Sequence, residues 1–185
     1  MSLIEVLSPV RSDDEAPRAP LAPRVELPSG AHLTLIANGK PKAIEILEML
    51  AEELRAWLAI GEVELYSKAS AGRPLEADVA RELASRSDLA LAALGDCGAC
   101  SACSLHDAVQ LERLGGPATV VITDVFQRST AAHVRTLGLV SYHTVVLPHP
   151  VATRTNDRIR QLVRDAAPAA RDQLTIPARE LALSL

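Results

Sequence analysis

Aromatic residues are almost absent from this chain: one Trp, two Tyr and one Phe among 185 residues. A core built from it has to be Leu, Val, Ile and Ala, and it carries no platforms on which bases could stack. Charge of one sign is lacking too. The net charge is −4, with acidic and basic residues interspersed, so there is no basic footprint for nucleic acid. No apolar run reaches the roughly 18 residues that a membrane span needs. The first 28 residues have no basic stretch followed by an apolar one, which excludes the pattern of a secretory leader. The expected setting is a reducing cytoplasm, with no nucleic-acid and no membrane partner.

Cysteine is scarce, at three, but it is concentrated: Cys97, Cys100 and Cys103 lie three residues apart. An odd, clustered set in a reducing compartment reads as redox, catalytic or metal-binding, not as a disulfide framework. Around it, apolar runs and helical patterns alternate. Strands are expected at Leu33–Ala37, Glu62–Tyr66, Leu89–Leu94, Ala118–Ile122 and Thr144–Leu147. Helices are expected at Ala43–Ile60, Leu75–Ser85, Ser101–Leu114, Asp124–Leu137 and Ala152–Ala166, the last cut by Pro168. This alternation predicts an α/β fold, a single-domain three-layer sandwich around a mostly parallel sheet of about five strands, Rossmann-like. Residues 1–31, with five of the twelve prolines, read as an extended arm whose Leu3–Leu7 suits a short edge strand. Residues 32–175 form the domain. A tail follows over 176–185, with a short helix from Pro177.

The cysteines fall where the third strand gives way to a helix. In an open parallel sheet that edge collects ligands, and a helix N-terminus favours a thiolate. Cys97 and Cys100 form a CxxC: an accessible nucleophile and a partner one turn along that can close a disulfide on it. Cys103 is a second resolving thiol or a buried residue. His106 is a potential acid or base on the same helix, as is Asp107 beside it. Asp96 suits the helix cap and joins the polar residues expected around substrate. Asn38 and Lys40 follow the first strand, Thr123 the fourth and His149 the fifth, so a parallel sheet brings them to the same edge. The competing reading is metal: zinc or an iron–sulfur cluster held by Cys97, Cys100 and Cys103, as a subunit of a larger complex. A continuous helix turns His106 away from Cys97, which keeps it out of such a set. Gly115-Gly116 ends a helix and so makes no phosphate loop.

The run Gly95-Asp96-Cys97-Gly98-Ala99-Cys100, with His106-Asp107-Ala108-Val109 and Leu111-Glu112-Arg113, resembles the UGSC-motif (seleno)protein family. Asn38-Gly39-Lys40-Pro41-Lys42-Ala43, Gly116-Pro117-Ala118, Thr123-Asp124-Val125-Phe126 and Pro148-His149-Pro150 extend the resemblance over about residues 30–150. Ala99 replaces the motif serine, and Lys42 stands where the family often has asparagine. Over some thirty residues, Cys97-x-x-Cys100-x-x-Cys103 is also similar to the selenoprotein B subunits of glycine, betaine and proline reductases. These resemblances imply a redox-active chalcogen at position 97. The expected function is a thiol-dependent oxidoreductase acting on a small molecule, by reduction or reductive bond cleavage. Cys97 is its nucleophile and Cys100 its resolving thiol. A small thiol or a thioredoxin-like donor supplies electrons. No resident cofactor is implied, and a homo-oligomer or a partner subunit is compatible with the arm.

Overall fold

The computed structural model describes residues 20–139 and 141–177. The expected strand at Leu3–Leu7 and the short helix from Pro177 lie outside them. Five strands, β1 (Ala31–Ala37), β2 (Ile60–Ser67), β3 (Leu89–Gly95), β4 (Ala118–Thr123) and β5 (Val145–Leu147), form one sheet in the order β2-β1-β3-β4-β5. Every pairing is parallel. Helices α1 (Ala43–Arg55) and α5 (Asn156–Thr175) cover one face; α2 (Ala77–Ala84), α3 (Gly98–Arg113) and α4 (Gln127–Thr136) cover the other. This is the doubly wound three-layer α/β arrangement.

The central strand shows how an aromatic-poor sequence builds it. Along β3, Leu89, Leu91 and Ala93 pack toward α1 and α5, whereas Ala90 and Ala92 pack toward α3. Side chains alternate faces along a strand, so the Leu-Ala alternation puts bulk on one face and leaves shallow ground for α3 on the other. Among the described residues no helix is long and apolar enough to cross a membrane.

The first and last helices differ most from expectation. The first helix stops at Arg55 and does not run to Ile60, because Ile60 opens β2 opposite Ala31. Gly61 makes that junction possible: a Cβ there would sit 2.7 Å from Gly30 Cα. The last helix begins at Asn156, with the Thr155 side chain accepting from the Arg158 N–H, and it continues through Pro168 to Thr175. Proline removes one backbone bond and crowds the preceding turn. Pro168 itself is exposed, while Ala167, Ala170 and Leu174 on the same helix are fully buried. Burial of that face outweighs the local penalty.

Residues 20–30 lie against the domain. Ala22 is buried, and its N–H donates to Glu112 Oε2 at 2.7 Å. Arg24 donates to both Glu112 oxygens, at 2.8 and 2.7 Å, and to the Gln173 carbonyl. This fastening sits at the C-terminal end of α3, at the opposite edge of the sheet from the cysteines.

Candidate active site

All five strands run the same way, so their C-terminal ends bring the loops after β1, β2, β3, β4 and β5 to one edge. The turn after β3 is shaped by Gly95. A Cβ there would meet Ile122 Cγ2 and Ser101 Oγ, each at 2.8 Å. Only glycine lets the first turn of α3 lie this close to β4. Gly98, the first residue of α3, has open space where its Cβ would be, which leaves the approach beside Cys97 clear.

Cys97, not Asp96, caps the helix. Its backbone is extended, and its Sγ accepts the Cys100 N–H at 3.2 Å. The Cys100 Sγ accepts in return from the Cys97 N–H at 2.8 Å and from the Asp96 N–H at 3.2 Å. This is a capping box with sulfur at both ends. The Ser101 hydroxyl donates to the Cys97 carbonyl at 2.7 Å. Asp96 is freed from capping because its carboxylate lies with Lys40, Oδ1 to Nζ at 3.1 Å.

The two thiols are driven apart electrostatically. Burial works to raise the Cys97 thiol, but hydrogen bonds from the Cys100 thiol and amide, helped by the Lys40 charge, outweigh it. The net effect lowers it below the ordinary thiol range even though Asp96 opposes. Burial and the bond with Cys97 push Cys100 up to about 12. The outer sulfur, half-buried, is thus the one that ionises more readily; the inner one, buried, holds its proton. Lys40 is raised by its bond to Asp96, so it stays charged beside the pair. Replacing Lys40 with methionine removes the cation and leaves Asp96 uncompensated, and both changes disfavour the thiolate. The pH at which Cys97 is half-alkylated by iodoacetamide is expected to rise in Lys40→Met. An unchanged profile would exclude Lys40 from the electrostatics of the site.

The other expected site residues divide. Thr123 is buried, and its hydroxyl lies 3.4 Å from the Gly95 carbonyl and 3.1 Å from His149 Nδ1. His149 is exposed, anchored by its N–H to Asp124 Oδ1 at 3.1 Å and by an edge-on contact with the Phe126 ring. These two join the thiol pair through the end of β3. Asn38, expected to bind substrate, is buried, and its amide is already engaged: Nδ2 donates to the Leu94 carbonyl and to Ser104 Oγ, each at 2.9 Å, and Oδ1 accepts from the Lys40 N–H. It ties the ends of β1 and β3 to α3 and so positions the site.

Cys103 and His106 do not join the pair. A step of three residues turns a helical side chain by about 60°, and each step carries the side chains further round α3. Cys103 is half-buried, raised by burial, and under the field of Lys68 and Asp107. His106 Nδ1 lies 3.2 Å from Gln110 Nε2, and burial lowers the ring's proton affinity. The potential ligand atoms that do gather within 4.8 Å of one another are those of Asp96, Cys97 and Cys100. The three-thiolate metal set is therefore not assembled. Within the group that is, the Cys100 sulfur accepts two backbone N–H groups and Asp96 is engaged by Lys40, which is a poor fit to a closed structural zinc site of four free ligands.

One pair had no sequence signal. Lys68, just past β2, makes a buried ion pair with Asp107 of α3, whose second oxygen accepts from the Leu75 N–H at 2.7 Å. Burial raises the Asp107 carboxyl, with Lys68 opposing. Lys68 also lines a cleft of about 210 Å³ with Tyr66, Arg73, Leu75 and Val79. Asp107 thus fixes the loop after β2 against α3 and is not free as an acid or base.

The family model described as the UGSC family matches residues 5–176. No curated protein matches the chain. Among solved structures, the flavodoxin-like domain of a Synechococcus sp. protein is 16% identical, with a TM-score of 0.44 over 82% of this chain and 99% of that chain. A diflavin flavoprotein A3 from Nostoc sp. is 12% identical, with a TM-score of 0.41 over 79% and 97%. A flavodoxin of Streptococcus pneumonia TIGR4 is 18% identical, with a TM-score of 0.41 over 75% and 98%.

Proposed function

The chain belongs to the UGSC family, and from that membership and its thiol pair we propose that it is a thiol-dependent oxidoreductase acting on a small molecule. The observation that carries this reading is the division of labour in the CxxC: Cys97 lowered and accessible, Cys100 buried and pushed up to about 12. A thiolate beside a reserved thiol is the arrangement that reductive exchange needs. The Cys97 thiolate attacks an electrophilic atom of the substrate and holds it as an adduct. Cys100 then attacks the Cys97 sulfur, forming the Cys97–Cys100 disulfide and releasing the substrate reduced by two electrons. An external dithiol, a small thiol or a thioredoxin-like donor in a reducing cytoplasm, returns the disulfide to two thiols. Lys40, whose charge acts on the sulfur, and His149, at the same edge of the sheet, serve to bind substrate or to donate a proton. Cys103 stands apart as a reserve thiol.

Intact mass measured on protein purified without air tests this. Mild oxidant should remove the mass of two hydrogen atoms, and a dithiol should restore it, with peptide mapping placing the bond between Cys97 and Cys100. Because a lowered thiol ionises at lower pH, iodoacetamide should label Cys97 at a lower pH than Cys100 or Cys103. Stoichiometric zinc or an iron–sulfur mass on the protein, with thiols that resist oxidation, would replace this reading with a metal-binding subunit.

A further inference from the structure

The pair has a difficulty of its own. Resolution requires Cys100 as a thiolate, yet Cys100 is only 1% exposed, so water does not reach its proton. The proton has to leave through a protein group, and among the described residues four groups touch that sulfur besides Cys97 Sγ, which the substrate occupies in the adduct. The Asp96 and Cys97 N–H groups are donors, at 3.2 and 2.8 Å. The Cys97 carbonyl, at 3.2 Å, accepts a hydrogen bond but does not take up a proton. The fourth is Asp96 Oδ1, at 3.4 Å. Only the carboxylate is a base.

We propose that Asp96 is the general base that deprotonates Cys100 for the resolving step, with Lys40 holding it in place. This rests on the thiol-dependent reading above and adds a catalytic residue to it. In the adduct, Cys97 is bonded through sulfur to the substrate fragment. Asp96 takes the proton from Cys100. The Cys100 sulfur attacks Cys97 Sγ, the sulfur–substrate bond breaks, and its electron pair leaves with the fragment. The fragment recovers a proton from Asp96 or from water. Two thiols have become one disulfide, and the substrate has gained two electrons and two protons; an external dithiol reverses the oxidation of the protein.

The surroundings suit the role. The two N–H groups that already point at the Cys100 sulfur stabilise the thiolate as it forms, without rearrangement. The Asp96 side chain retains 11% exposure, enough to pass a proton outward. Its neighbours that carry or gain charge are Lys40 from the loop after β1 and Cys97 and Cys100 from α3. Lys40 holds Oδ1 at 3.1 Å, on the same oxygen that meets the thiol. An aspartate before a helix is ordinarily the cap; here the cysteine sulfur caps, and the carboxylate is left for chemistry.

The test uses the full chain in a Cys103→Ser background, with Cys97 loaded as its mixed disulfide with thionitrobenzoate. Release of the coloured thiol reports resolution. The Asp96-bearing protein should release it at a rate that changes little near neutral pH. Asp96→Asn should release it roughly 100-fold more slowly at pH 7, the usual loss for a missing general base, and its rate should climb about tenfold per pH unit as hydroxide replaces the carboxylate. Asp96→Glu, which keeps the base, should recover much of the neutral rate. Loading of Cys97 in a Cys100→Ser background should not slow in Asp96→Asn, because removing the anion favours the Cys97 thiolate. A neutral rate and pH profile unchanged in Asp96→Asn would overturn the role of Asp96 and leave the thiol pair standing. No intramolecular release even with Asp96 present would instead overturn the thiol-pair reading, and the proposal with it.

Discussion

Cys97→Ser should abolish turnover of a model disulfide by at least roughly 1,000-fold, the scale on which loss of a nucleophile acts, while Cys100→Ser should stop the reaction after one event. The difference follows from the electrostatics of the pair. Only Cys97 combines exposure with a lowered proton affinity, so no other sulfur replaces it at neutral pH. A serine hydroxyl is a far weaker nucleophile than a thiolate. Cys100→Ser leaves the attack intact but removes the resolving sulfur. Incubation with a small disulfide should therefore add one fragment mass per chain and then stall. The measurement is steady-state disulfide consumption with excess dithiol, paired with intact mass at the end of the reaction. Undiminished turnover in Cys97→Ser would remove position 97 from the chemistry, whatever the family motif implies.

The parts of this site that were legible in the sequence are those encoded locally. The short length of the Leu-Ala run ending in Gly95 and its place in the alternation of elements mark a buried strand with a sharp exit, and three cysteines spaced by threes mark a helix that begins at their head. The gathering of Lys40, Thr123 and His149 at that edge followed from parallel strands alone. The sequence points to Asp96 as the cap because the capping preference is statistical: it ranks aspartate high without knowing that a lysine from the loop after β1 competes for the carboxylate. Local backbone chemistry makes Pro168 a stop, whereas the buried face of α5 carries the helix through it. Its position after β1 puts Asn38 among the expected substrate contacts. Its burial against Ser104 depends on how closely α3 packs, which the sequence does not state. Least legible were the buried ion pairs. Lys68 and Asp107 are 39 residues apart, and Arg24 and Glu112 are 88 apart. Each is one ordinary charge among many until the fold removes it from water.

That last pair has the largest expected effect on folding. Glu112 has no exposed side-chain surface and Arg24 has 4%. The carboxylate is saturated: Oε2 accepts from the Ala22 N–H and from Arg24, and Oε1 accepts from Arg24 and, at 2.8 Å, from the Ala118 N–H that opens β4. Arg24 also donates to the Gln173 carbonyl near the end of α5. One ion pair thus fastens the segment before β1, the end of α3, the start of β4 and the end of α5. Breaking a buried pair from one side leaves an uncompensated charge and costs about 3–5 kcal/mol, against a total stability of roughly 5–15 kcal/mol. Glu112→Ala should be the more damaging, since it also orphans two backbone N–H groups; Arg24→Ala should follow. At this chain length such losses lower Tm by roughly 6–20 °C. The double variant Arg24→Met with Glu112→Gln should recover part of the loss, because the glutamine carbonyl still accepts from a backbone N–H and no charge is stranded. Urea melts of the parent, Arg24→Met, Glu112→Gln and their double variant form the cycle that measures the coupling. A cost below about 1 kcal/mol for Arg24→Ala, the range of an exposed pair, would mean that residues 20–30 only rest on the domain. A large cost confined to stability, with Cys97 alkylation unchanged in the folded protein, would separate the fastening at one edge of the sheet from the chemistry at the other.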